Sequence, residues 1–446
     1  MHPGFSIVDK WRLCVLQYRR GGMVMERRTL DPESRGERWR WYGMLAGCLL
    51  AAYLVIWMFT EKTPFMHTPY CSYALQAQRW LEGHLDLGQD YPWLELAIYD
   101  GKYYVSFPPL PTLIVLPFVA LFGVDGTPEY FITTVMSLIG AVQLLRLCDL
   151  YCEDRRTAMV WALLATIGSN FLLIGYNGDV WLMSQTAAFM FTSAALYTAA
   201  TDREDDGNWP LLWLACAVGC RHFNFVYLPV VAWLLVEKFR KNGLTMWGAV
   251  RKHWLWLAPP ACVGGFYMAL NQLRFGNPFQ FGHDYLPEFT RSPDHVQFAL
   301  SNIPLNFTDK LFALPRWEDG WLRFPKGGFA FFIASPIYGV GFLYLVRRLT
   351  GRLRGEAWGK GALTAVIGVC VSLHLLALCA HGSMGGIQWG LRYTIDAIPA
   401  AALGILLLRR PEGEALDGLL PPALVFGLCL NLVGTLAILN DWNIFL

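Results

Sequence analysis

Long stretches of this chain carry no charge. Runs free of Asp, Glu, Lys and Arg occupy residues 43–59, 157–176, 180–200, 328–346, 361–380 and 418–439. Each approaches the roughly 20 residues that a helix needs to cross about 30 Å of hydrocarbon. A charge at the bilayer midplane costs about 3 kcal/mol, so unbroken runs of this length predict membrane-spanning helices. Weaker or shorter runs at about 128–146, 209–219, 223–236, 254–271 and 395–408 bring the expected number to about eleven. The segment 109–122 is apolar but short and rich in Pro. Counted as a span it would put Arg155 and Arg156 outside, so it is read as an interfacial or re-entrant helix. Two long outer loops remain, 60–127 and 272–327, and loops of that length are commonly functional. In the first, residues 72–83 have helical periodicity and are expected to lie on the membrane surface, with Gly83 as cap. Asp100-Gly101 signals a turn.

The placement of charge orients these spans. With the N-terminus inside, the basic segments 1–41, 146–156, 237–253, 347–360 and Arg409-Arg410 all fall inside. The short loops 177–179, 220–222 and 382–394 fall outside with only Arg221 and Arg392 between them, and the C-terminus ends outside. The expected organisation is a basic cytoplasmic segment, 1–41, and one transmembrane domain, 42–446. Residues 1–40 hold no apolar stretch of signal-peptide type, so the first span is expected to act as an uncleaved anchor.

Composition agrees. Of 446 residues 55% are hydrophobic and only 16% charged, against roughly 25% charged in an ordinary soluble domain. That excludes a soluble enzyme, a disordered chain and a disulfide scaffold. The net charge of +2 and the lack of a basic face outside short loops give no nucleic-acid footprint. Among the eleven cysteines, Cys148/Cys152 and Cys216/Cys220 have i,i+4 spacing but no His or carboxylate set to complete a metal site. They are read as small hydrophobes. No cofactor is established by the sequence: a divalent metal stays open but is not indicated, since no outer-side cluster has dedicated ligand spacing.

The candidate chemistry lies on the outer side. The first loop holds Glu61, Glu82, Asp86, Asp90, Glu95 and Asp100 against Lys62, Arg79 and Lys102. An acid held near the bilayer surface suits a general base; the alternative is a solvated loop. Arg221-His222 interrupts an apolar stretch. Arg392 stands in Gly385-Gly386-Ile387-Gln388-Trp389-Gly390-Leu391-Arg392-Tyr393, with Asp396 one turn on. An Arg at membrane depth needs an anion, either a lipid-linked phosphate or, for Arg392, Asp396 at i+4. His283-Asp284 in the second loop is either catalytic or loop structure, and His374, alone in a span, is read as a core residue.

Four features together resemble a known family. They are a single span followed by a long outer loop with surface helices; Tyr99-Asp100-Gly101-Lys102-Tyr103-Tyr104-Val105-Ser106-Phe107-Pro108-Pro109 before an apolar, Pro-led helix; Arg274-Phe275-Gly276-Asn277-Pro278 with Phe281-Gly282; and Gly385-Gly386 to Arg392-Tyr393 with Asp396 and Pro399. Over about 41–410 the chain resembles the GT-C superfamily of polytopic membrane glycosyltransferases, and particularly bacterial members similar to family 39 protein mannosyltransferases and lipid A aminoarabinose transferases. The resemblance implies an all-α polytopic protein of the bacterial inner membrane. It implies a polyprenyl-phosphate-linked sugar donor and inverting transfer, on the outer face, to a lipid, glycan or protein acceptor. A first-loop acid would activate the acceptor and an Arg would hold the donor phosphate. For the phosphate the candidates are Arg392, Arg221 and Lys102, with Asp100, Tyr103, Tyr393, Asp396 and His283 in support.

One departure matters. The family commonly carries an acid just after the first span, where this chain reads Phe65-Met66-His67-Thr68-Pro69-Tyr70. Either His67 substitutes as base, or a later acid such as Asp86 or Glu95 takes the role, or transferase activity is lost. Glu95 is favoured, because Trp93, Leu94 and Leu96 are expected to desolvate it and raise its pKa. Two other classes remain open: a transporter or flippase for a lipid-linked glycan, to which the break at Arg221 would belong, and a non-catalytic or polymerase-type relative.

Overall fold

The computed structural model describes residues 35–201, 209–291, 296–354, 360–409 and 415–445. Most of the basic segment 1–41, together with Arg410, lies outside the described residues. Each of the eleven apolar runs forms helix, and four helices among the described residues are long and apolar enough to cross a membrane: Gly36–Phe59, Glu129–Asp149, Gly361–Ala380 and Ala415–Leu439.

The chain begins with α1 (Arg35–Phe59). The first outer loop then forms α2 (Ser72–Leu81), the hairpin β1 (Leu96–Tyr99) and β2 (Lys102–Val105), and α3 (Leu110–Phe122). The hairpin corrects the all-helical expectation. Asp100 and Gly101 both take the left-handed conformation, with φ of 49° and 68°, which is what a two-residue turn of Asp-Gly type supplies. The turn was legible; strands of four residues on either side were not. A second small hairpin, β3 (Arg316–Glu318) with β4 (Trp321–Arg323), lies in the second outer loop.

Next come α4 (Glu129–Asp149), α5 (Arg155–Ala165), α6 (Phe171–Ile174), α7 (Val180–Ala200) and α8 (Pro210–Cys220). The run 157–176 is therefore not one helix. It breaks at Thr166–Asn170, where Gly168 and Gly427 approach so closely that a Cβ on Gly427 would lie 2.1 Å from the Gly168 carbonyl oxygen. In α7 every residue except Trp181 and Phe191 is buried, although it carries Ser184, Gln185, Thr186, Thr192, Ser193 and Thr198. Small side chains let its neighbours come close, and hydroxyls such as Thr186 and Thr198 bond back to carbonyls one turn earlier.

The rest of the chain gives α9 (Leu228–Lys241), α10 (Ala258–Phe275), α11 (Ile337–Leu353), α12 (Gly361–Ala380), α13 (Ile398–Leu408) and α14 (Leu420–Leu439). The main core gathers side chains from α1, α4, α5, α7, α9, α11, α12 and α13. A second core packs α2, the first hairpin and α3 against α4 and α7. That second core holds the first outer loop against the helical body, so α2 is an element buried on one face. Arg274, at the end of α10, clamps the other side: it donates to the Val105 carbonyl at 3.1 Å and to Asn271 Oδ1 at 2.8 Å.

Candidate functional site

A cavity of about 560 Å³ opens where both outer loops meet the ends of α8, α10 and α12. Its polar wall includes Glu95, Arg221, His283, His381, Arg392 and Tyr393, and its apolar wall includes Phe107, Trp181 and Phe281. Sequence reasoning thus brings five of its candidates to one place. The other candidates of the first loop, His67, Asp86, Asp100, Lys102 and Tyr103, do not line the cavity. Asp86 caps its own loop, its carboxylate accepting the Gly88 N–H at 2.9 Å, while its carbonyl accepts from Arg79. Asp100 and Lys102 are exposed on the hairpin turn, and Tyr103 packs onto the second core. Lys102 therefore points to no phosphate in the cavity. Glu95 lines the wall but is exposed, because Trp93 turns away to donate its indole N–H to the Pro69 carbonyl. The expected desolvation of Glu95 is absent.

The two arginines differ. Arg221, at the break after α8, donates through Nε to Asp396 Oδ2 at 3.2 Å, and Asp396 has no solvent-accessible side chain. The expected i,i+4 partnership of Arg392 with Asp396 is thus replaced by a bond across 175 residues. Arg392 donates through Nη2 to the Tyr393 hydroxyl at 2.9 Å, and its Nε is buried with no partner among the described residues. The Tyr393 ring lies 4.8 Å from the Arg392 guanidinium carbon and 5.2 Å from that of Arg221. Gly385 takes φ of 84°, and a Cβ there would meet Arg392 Nη2 at 3.2 Å. Glycine is what lets this backbone lie against the guanidinium.

The loop carrying Arg392 is fixed at many points. Gln388 Oε1 accepts the Arg392 N–H, and its amide donates to the carbonyls of Gly327 and Met384. Gln185 of α7 donates to the Arg392 carbonyl, and Asn170 donates to that of Trp389. Trp389 is buried against Gly434 of α14. Opposite, His283 is pushed down to about 4 by burial and by the neighbouring His381 and Arg221, so its ring is neutral at ordinary pH. His222 bonds the Tyr267 hydroxyl at 2.6 Å. It also borders a second, almost wholly apolar groove of about 630 Å³ between Val226, Leu228 and the α12 residues Val366, Val369 and Leu373. The cavity and the groove share His222, Phe223 and Phe225. His374, as expected, is buried, bonded to Tyr227.

The stretch 65–70 has no acid of its own, yet carboxylates reach it from elsewhere. His67 Nδ1 lies 3.0 Å from Glu129 Oε1, and the Thr68 hydroxyl donates to Asp179 Oδ1 at 2.7 Å. Neither Glu129 nor Asp179 was singled out in the sequence. Their one signal is position: each is an acid at the first turn or cap of an apolar helix, where an acid also simply offsets the helix dipole. Among the described residues no group of three His, Cys, Asp or Glu side chains is placed to hold a metal ion.

No family profile and no curated protein matches this chain. Solved structures similar to it include two of one protein. One is ArnT from Cupriavidus metallidurans bound to undecaprenyl phosphate, with a TM-score of 0.49 and 11% identity over 88% of this chain and 76% of that one. The other is ArnT from the same organism in the apo state, with a TM-score of 0.48 and 13% identity over 89% and 76%.

Proposed function

We propose that this chain is a GT-C-type membrane glycosyltransferase that moves a sugar from a polyprenyl-phosphate donor to an envelope acceptor on the outer face of the bacterial inner membrane. The observation that carries the reading is the contrast between the two cavity arginines. Arg221 is already neutralised by Asp396, whereas Arg392 brings to the wall a guanidinium whose buried Nε has no partner among the described residues. A half-buried cation of that kind favours a phosphate, which accepts two or more charge-assisted hydrogen bonds. The sequence resemblance to GT-C enzymes supports the same ligand. The apolar groove that continues from the cavity suits the isoprenoid tail of the same donor. Glu95 and neutral His283 face the space left for sugar and acceptor hydroxyls.

The test is binding of undecaprenyl phosphate to purified protein in lipid nanodiscs, read as thermal stabilisation. Arg392→Ala is expected to weaken binding at least tenfold, since one charge-assisted bond contributes about 1.5–3 kcal/mol. Equal stabilisation of the variant and the parent would remove Arg392 from the phosphate site. Binding without any sugar transfer across a donor panel would favour a flippase.

A further inference from the structure

We infer that His67 is the base that takes the acceptor's proton, and that Glu129 is the positioning residue that orients it, an inference that rests on the transferase reading. The imidazole and the carboxylate meet across 62 residues, Nδ1 to Oε1, at 3.0 Å. Glu129 has no solvent access, while the His67 side chain is 23% exposed. The carboxylate is sealed while one edge of the imidazole stays reachable, as a base must be. The second Glu129 oxygen accepts the Thr68 N–H at 3.2 Å, so the carboxylate is fixed from two sides. Thr68 is in turn tied to Asp179, whose N–H donates to Asn177 Oδ1 at 2.7 Å. Between them Gly178 lies so close to Glu129 that a Cβ would stand 2.8 Å from the Glu129 Cβ. The start of α4 and the cap of α7 thus close on the segment that follows the first span.

This geometry sets the tautomer. With Nδ1–H donating to Glu129, the lone pair sits on Nε2, which bonds no protein atom among the described residues. The acidic groups facing the ring, Glu129 by its bond and Asp125 by its charge, hold the imidazole above its ordinary pKa against the opposing effect of burial. The location also fits. Tyr70 packs on Trp181, a wall of the cavity, with ring centroids 6.2 Å apart, and the charge of Arg392 is felt at Asp179. The segment that carries His67 therefore packs against the wall of that cavity.

In the reaction the acceptor hydroxyl oxygen forms a bond to the anomeric carbon and its proton passes to His67 Nε2. The bond from that carbon to the phosphate oxygen breaks, and its electron pair leaves on polyprenyl phosphate, where Arg392 meets the charge. The imidazolium then returns its proton to solvent.

The experiment uses the full chain in nanodiscs with a panel of polyprenyl-phosphate hexoses and pentoses, and reads release of polyprenyl phosphate against pH. His67→Gln is expected to lower kcat about 100-fold or more while retaining undecaprenyl phosphate binding. Glu129→Gln is expected to lower kcat about tenfold and to move the acidic limb of the profile to lower pH, because the imidazole loses the carboxylate that keeps it protonated. A His67→Gln variant with the parent's rate and profile overturns the assignment. The ring titration of His67, followed by NMR on histidine-labelled protein and identified by its loss in His67→Gln, decides the pairing without any turnover. An unchanged titration in Glu129→Gln, or in Glu129→Asp if the first variant does not fold, overturns it. A parent protein that binds undecaprenyl phosphate but releases none from any donor overturns the transferase reading and the base role together, while the titration still decides whether the pair exists.

Discussion

Asp396 and Arg392 share a sequence neighbourhood and have different partners. The i,i+4 spacing suggested that they neutralise each other, but Asp396 turns to Arg221 on the break after α8. Removing that carboxylate leaves a guanidinium in a protein interior with its bonded anion gone and only the Tyr393 ring beside it. Asp396→Asn is expected to cost about 3–5 kcal/mol, read as a lower unfolding temperature in detergent, and Arg221→Gln added to it should restore part of the loss. A variant as stable as the parent would show that water reaches Arg221. Arginines at membrane depth were legible as candidates because their cost there is high, so each must have an anion. Glu129 was not legible, because its partner lies 62 residues away and its place at a helix start has an ordinary explanation in the helix dipole. Glu95 misled for a related reason: apolar neighbours in sequence bury a side chain only if they fold over it, and Trp93 folds the other way.

The helices and their interruptions have separate jobs. The apolar runs were readable because a bilayer demands them, but the breaks inside them were not, since a run such as 157–176 shows no charge at the point where α5 stops. Those breaks support the loop that presents Arg392. Asn170, in the gap between α5 and α6, bonds the Trp389 carbonyl and the Ser335 hydroxyl, and Trp389 rests on Gly434 of α14. A Cβ on Gly434 would lie 1.9 Å from the Trp389 ring. Gly434→Ala is therefore expected to cost about 1–3 kcal/mol and also to weaken undecaprenyl phosphate binding, because the indole that seats the Arg392 loop must move. Thermal unfolding and ligand stabilisation measured on the same sample check both parts; loss of stability with full binding would separate Trp389 from the site. At this scale the Asp100-Gly101 turn was readable by its own chemistry, whereas β3 and β4, each three residues long, offered too little alternation to find.

At the scale of the molecule, the two outer loops are parts of the folded body: one is packed through its own core and the other is clamped to it by Arg274. That is why residues far apart in the chain, from Glu95 to Tyr393, surround one cavity. The burial of α7 has a consequence for how such a chain is made. A helix that hides its Ser, Thr and Gln side chains on every face is poorly suited to rest alone among lipid tails. The elements that cover it include α4, synthesised earlier, and α8, α9 and α13, which leave the ribosome later. A chain cut after α8 is expected to be degraded faster in cells than the whole protein, with α7 reachable by a membrane protease; a half-life equal to that of the full chain would show that lipid alone is an adequate neighbour. The timing of translation, as much as the final packing, then decides whether this protein reaches its native state: this secluded, polar helix must wait for a partner some 200 residues downstream.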